Sequence, residues 1–123
     1  MDVHPHIAVI DDDESVRESL PDLLRQYGYT ASEFASAEDF LESELLSQTR
    51  CAILDIAMPG VSGPDLQREL ARRGYGIPIV FITGNRDEAI RRLMLEKGAV
   101  ACLFKPFSAD DLLGAVEAAL RMG

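Results

Sequence analysis

Short apolar runs rich in β-branched residues alternate five times with amphipathic stretches along this chain, and that alternation constrains the fold more than any other feature. A strand that is apolar on both faces must be covered on both, and a parallel neighbour is reached through a crossover helix. The pattern therefore predicts a parallel sheet with helices on either side. The first run, residues 7–10, is followed by a stretch that places Val16, Leu20, Leu23, Leu24 and Tyr27 on one helical face before Gly28 stops it. Pro21 lies inside that stretch. Its missing N–H should remove the bond to the carbonyl of Arg17 and bend the helix unless the chain rearranges locally.

Residues 29–34 read as a second, partly exposed strand, and Ser36 with Asp39 resembles a capping box that opens a helix with Ala37, Phe40, Leu41 and Leu45 inward. The third strand covers 51–54. After the loop 56–63, Pro64 suits the first turn of a third helix, with Leu66 and Leu70 inward and Gly74 as its stop. Residues 79–82 form the most plainly buried strand, followed by a helix over 87–97 that ends at Gly98. The last strand is 100–104, and Ser108 with Asp111 caps a final helix carrying Leu112, Val116, Ala119 and Leu120.

At 123 residues the chain has the size of one domain, and a single domain over 1–123 is expected, without disulfide or structural metal. Its longest apolar runs fall far short of the roughly 20 residues that span a bilayer. No basic segment followed by an apolar stretch opens the chain, so a cytoplasmic protein is expected. Cys51 and Cys102 both sit in apolar runs and read as reduced, buried thiols. A net charge of −9 argues against this segment wrapping nucleic acid, since phosphate neutralisation needs a basic face; its partner should be a protein. His4 and His6, flanking Pro5, read as an ordinary terminal segment. The pairs Arg72-Arg73 and Arg91-Arg92 read as solvated helix faces, with a docking role open for the second pair.

In an open parallel sheet, ligands bind beyond the carboxyl ends of the strands. Asp11 and Asp12 end the first strand, Asp55 the third, Thr83 the fourth and Lys105 the fifth, so four strand exits deliver these groups to one edge. Read singly, each has a plainer role: Asp11, Asp12, Asp55 and Thr83 as helix caps, Lys105 as a surface charge. Together they fit a different chemistry. Converging carboxylates repel one another, and a hard divalent cation with oxygen ligands is the physical remedy. Mg²⁺ fits because it takes few protein ligands and accepts a phosphoryl oxygen, whereas structural zinc wants Cys and His. Phosphoryl transfer needs positioning and charge neutralisation, which Mg²⁺, Lys105 and the Thr83 hydroxyl would provide around an Asp55 nucleophile.

The runs Val9-Ile10-Asp11-Asp12-Asp13, Leu54-Asp55-Ile56-Ala57-Met58-Pro59-Gly60, Ile82-Thr83-Gly84 and Lys105-Pro106-Phe107 resemble the signatures of response-regulator receiver domains of two-component systems. The Ile-Thr-Gly run, the segment from Ser36 and the Lys-Pro-Phe ending most resemble the nitrogen-fixation regulator branch. The resemblance implies a flavodoxin-like, doubly wound α/β fold, with a five-stranded parallel sheet in the order 2-1-3-4-5 and five helices. It implies Asp55 as phosphoacceptor, Asp12 as direct metal ligand and Asp11 as a partner acting mostly through metal-bound water. Ala57 would add its backbone carbonyl to the metal. Thr83 would bond the phosphoryl group and shift with it, and Lys105 would pair with a phosphoryl oxygen and precede a cis bond to Pro106. The implied donor is a histidine kinase or phosphotransfer protein, with homodimerisation on phosphorylation possible in the family and output from the surface of the last helices; whether an effector domain follows Gly123 is left open.

One departure concerns mechanism. Many receivers carry Tyr or Phe three residues before the lysine, turning inward on activation, and here Cys102 stands there; Phe104 shares its face of the strand. Three other readings compete. Asp11-Asp12-Asp13 also reads as the nucleophile loop of an aspartyl-phosphate phosphatase, with Asp11 attacking, although the chain is short for a substrate cap. A degenerate receiver acting as a binding module is weighed against by the intact acidic pair, Asp55, Thr83 and Lys105. Flavin binding is disfavoured because no Ser/Thr/Gly-rich phosphate loop follows the first strand.

Overall fold

The computed structural model describes residues 5–122, so His4 lies outside the described residues. Five strands, β1 (His6–Ile10), β2 (Thr30–Phe34), β3 (Thr49–Asp55), β4 (Ile79–Thr83) and β5 (Ala101–Phe104), pair in parallel in the order β2-β1-β3-β4-β5. They alternate with α1 (Glu14–Gln26), α2 (Ala37–Leu41), α3 (Gly63–Arg72), α4 (Glu88–Glu96) and α5 (Ala109–Met122). This is the expected doubly wound sheet. Successive side chains of a strand point to opposite faces, and that period of two divides the core into two layers. Ala8, Ile10, Ala52, Leu54 and Phe81 face Phe40, Leu66, Leu70 and Met94 of α2, α3 and α4. Ile7, Val9, Ile53, Val80 and Ile82 face Leu20 and Leu24 of α1 and Leu112, Val116 and Ala119 of α5. With strands buried on both faces, each large side chain contributes roughly 1.5–3 kcal/mol of transfer free energy.

Helix ends follow local chemistry. Asp13, Ser36, Ser62 and Asp87 each accept a backbone N–H of the first turn, at α1, α2, α3 and α4 respectively, and Ser108 Oγ accepts the Asp111 N–H in α5. Gly28, Gly74 and Gly98 follow α1, α3 and α4 with φ of 91°, 86° and 99°, the left-handed conformation that glycine adopts without a Cβ penalty.

Two expectations are corrected. The second helix stops at Leu41, and a 3₁₀ turn over Leu46–Gln48 follows, so Leu46 is the buried side chain and Leu45 is only half-buried. Tyr27 caps the C-terminus of α1 and is 56% exposed, because the helix unwinds there before Gly28. As expected of the stretch as a whole, α1 is helical through Pro21, which is buried.

The order β2-β1-β3 makes the chain wind away from β1 in both directions. The crevice therefore opens between the carboxyl ends of β1 and β3, and Asp11 and Asp55 flank it.

Candidate functional site

Asp11 follows β1 with no solvent exposure and is held from several directions. Its amide donates to the Phe34 carbonyl at 3.2 Å; its Oδ1 accepts the Asp13 N–H at 2.9 Å and its Oδ2 accepts Lys105 Nζ at 3.0 Å. The Arg17 guanidinium also donates to its carbonyl oxygen at 2.9 Å. Asp12 is exposed and closes the acidic set: one carboxylate oxygen from each of Asp11, Asp12 and Asp55 lies within 4.8 Å of the others.

Asp55, the last residue of β3, is only 8% exposed. Burial, reinforced by the Asp11 charge, pushes its carboxyl up to about 7, against the opposing pull of Lys105 and the Ala57 backbone amide. Burial pulls Lys105 down, but the hydrogen bond it donates to Asp11 and the charges of Asp11, Asp55 and Asp13 outweigh it and hold the ammonium above its ordinary value. A cluster of three carboxylates with one ammonium is under-neutralised, and its donors are all oxygen. That set fits a hard divalent cation and not a thiolate-seeking one.

Thr83 ends β4, buried, with Oγ1 accepting the Asn85 N–H at 3.0 Å. Lys105 follows β5, its backbone N–H donating to the Thr83 carbonyl at 2.8 Å, and the Lys105–Pro106 bond is cis, as expected. The β3–α3 loop is tied down by Gly63, whose N–H donates to the Ile56 carbonyl at 3.1 Å. A Cβ on Gly63 would lie 2.5 Å from the Asp55 carbonyl oxygen and 2.9 Å from the Phe81 ring, so only glycine permits this approach. Sequence reasoning passed over Gly63 and Arg17. A glycine one residue before a helix-opening proline was the available signal for the first.

The structure thus gathers Asp11, Asp12, Asp55, Thr83 and Lys105 at one edge and places Ala57 two residues after Asp55 in the exposed loop. Both carboxylate oxygens of Asp11 are engaged, by the Asp13 N–H and by Lys105 Nζ, which weighs against Asp11 as the attacking group of the phosphatase reading. Beside the site, a groove of about 490 Å³ runs between α1 and the β5 exit, lined by Val16, Leu20, Leu23, Lys105, Pro106 and Phe107. Phe107, partly buried, packs against the core. Cys51 and Cys102 are free and buried, and burial pushes the Cys51 thiol up to about 12.

The two basic pairs behave differently. Arg72 and Arg73 are exposed, as expected of a solvated helix face, and both pair with Glu69 there; the departure is in the second pair. Arg91 turns inward over the Phe104 ring, while Arg92 is exposed.

Comparison with known proteins agrees with this geometry. Residues 7–117 match the response regulator receiver domain family. The chain is 44% identical over 113 residues to nodulation protein W of Bradyrhizobium diazoefficiens, covering 92% of this chain and 50% of that protein. It is 42% identical over 116 residues to the response regulator protein TodT of Pseudomonas putida, covering 94% and 51%. It thus spans about half the length of these relatives. The crystal structure of FixJ-N superposes with a TM-score of 0.84 at 32% identity, covering 98% of this chain and 96% of that one, in line with the nitrogen-fixation branch. With its sheet order, its acidic crevice and a match over nearly its whole length, this chain belongs to the response regulator receiver domain family.

Proposed function

We propose that this receiver domain takes a phosphoryl group onto Asp55 from the phosphohistidine of a histidine kinase or phosphotransfer protein. The observation that carries the reading is the position of Asp55: a nearly buried carboxylate at the β3 exit, with Thr83 ending the adjacent strand and Lys105 within the same charge cluster. An Asp55 carboxylate oxygen attacks phosphorus, an acyl phosphate forms, and the P–N bond breaks with its electron pair going to the donor imidazole, which takes a proton from solvent. The step needs no general base, because Asp55 attacks as a carboxylate.

Asp11, Asp12 and Asp55, with the Ala57 backbone carbonyl, would hold Mg²⁺. When bound, the cation neutralises the carboxylates and the developing charge on the phosphoryl oxygens. The chain's own residues do the remaining work. Lys105 exchanges Asp11 for a phosphoryl oxygen, and Thr83 exchanges the Asn85 N–H for a hydrogen bond that its hydroxyl donates to the phosphoryl group. The groove beside α1, apolar along Val16, Leu20 and Leu23 and polar at Asp13, Ser15 and Lys105, suits an amphipathic helix presenting a phosphorylated histidine. Conversion between the two states of Thr83 and Lys105 is the signal, since a group shifts an equilibrium only by contacting the two states differently.

The domain is read as one cytoplasmic unit over 1–123 that regulates an effector domain in the full-length protein, homodimerises on phosphorylation and leaves nucleic-acid contact to that effector. No described helix is long and apolar enough to cross a membrane. Intact-mass measurement after incubation with acetyl phosphate tests the reading. A gain of one phosphoryl group that requires Mg²⁺ and is absent in Asp55→Asn supports it; a gain that survives Asp55→Asn overturns it, and no gain points to a phosphorylation-independent binding module.

A further inference from the structure

We propose that Arg91 is a positioning residue that clamps α4 to the exit of β5 and transmits the state of the Thr83–Lys105 pair into α4, a role that rests on the phosphoacceptor reading of Asp55. Its Nε donates to the Cys102 carbonyl at 3.0 Å, and its guanidinium carbon lies 4.3 Å from the centroid of the Phe104 ring. The Glu88 carboxylate, one turn earlier on α4, holds the same guanidinium at 3.3 Å, and Arg86 approaches the ring at 5.9 Å. A planar guanidinium that bonds one residue of a strand and stacks on another fixes both distance and orientation, which an ammonium cannot do.

Phe104 is the link to the site. It pairs in register with Thr83 across β4 and β5, and it immediately precedes Lys105, whose N–H donates to the Thr83 carbonyl at 2.8 Å. A shift of Thr83 or Lys105 toward a charged Asp55 therefore moves the backbone on which the Phe104 ring is mounted. The position where many receivers place a mobile ring is occupied by Cys102, 2% exposed and without a ring to turn. In this chain a clamp reaching in from the helix ties the strand end to α4, beside the core packing that Met94 and Cys102 share. Coupling needs an element with two arrangements that both sites bias, and the Arg91–Phe104 stack contacts both.

Hydrogen exchange across residues 86–97 tests the clamp, measured on the whole chain with and without acetyl phosphate and Mg²⁺, with intact mass read in parallel. Arg91→Lys keeps the charge and Phe104→Leu keeps an apolar side chain, while Arg92→Ala is the exposed neighbour control. In the wild type, phosphorylation changes exchange in α4. Both variants gain the phosphoryl group to the wild-type extent, yet their α4 response falls by about threefold or more. The double variant loses no more than either single one, as residues acting as one unit do. Arg92→Ala responds as wild type. The proposal is overturned by a full α4 response in phosphorylated Arg91→Lys and Phe104→Leu, by additive losses in the double variant, by loss of phosphorylation itself in the variants, or by a phosphorylated wild type with a silent α4. A wild type that gains no phosphoryl mass instead overturns the assignment of Asp55, and the clamp's signalling role with it.

Discussion

Replacing Asp55 by Asn should stabilise the metal-free domain, and the size of the gain should depend on pH. The Asp55 carboxyl is pushed up to about 7 in the folded chain from an ordinary value of 3.8, chiefly by burial and then by the Asp11 charge. For an acid raised on folding, the unfolded chain releases its proton first. Stability therefore falls as pH rises from about 4 to about 7, and the full loss is present above that window. A difference of this size corresponds to about 4 kcal/mol at pH 8. Solvent reaching the open edge of the site screens part of it, leaving about 2–3 kcal/mol as the expected advantage of Asp55→Asn. For a domain of this size that is roughly 8–15 °C in Tm. Thermal and urea unfolding of both proteins at pH 5 and pH 8, in chelator, measures it. The gap should be wide at pH 8 and narrow at pH 5, and Mg²⁺ should close it by stabilising the wild type selectively. An Asn variant equal to or weaker than wild type at pH 8, or a gap that does not change with pH, would refute the electrostatic account of the site.

Other consequences follow from the same geometry. Gly63→Ala forces a Cβ against the Asp55 backbone and the Phe81 ring, so it should cost about 1–3 kcal/mol in urea unfolding and slow phosphorylation by acetyl phosphate. Removing the ammonium in Lys105→Ala leaves the wholly buried Asp11 unpaired and should destabilise by about 2–4 kcal/mol in chelator. Most of this should be restored by adding Asp11→Asn, and a double variant as weak as the single one would count against the pair. Mg²⁺ binding, followed by calorimetry, should weaken by up to about tenfold per pH unit below pH 7 as Asp55 takes up a proton. Both thiols should resist a disulfide reagent in the native state and react on unfolding, because burial raises Cys51 and Cys102 above their ordinary values.

The sequence by itself determined the sheet and the chemistry at its edge. Apolar runs ending in Asp11, Asp55, Thr83 and Lys105 can satisfy the alternating faces of a strand in one layered arrangement only, and that arrangement delivers the polar ends together. Helix starts were equally legible, because a cap needs only a side chain and an N–H two or three residues away. Tertiary structure decided what depends on long-range partners. Leu45 and Leu46 are indistinguishable as side chains, and which one is buried was settled by where α2 ended against β2. Arg91 reads as surface charge until β5 brings Phe104 beneath it, and Gly63 reads as a loop residue until the Asp55 carbonyl fills the space of its missing Cβ. The raised Asp55 carboxyl belongs to the same class. Its identity is local, but its protonation is set by burial and by an Asp11 that lies 44 residues away in sequence, and charges interact through space regardless of chain order.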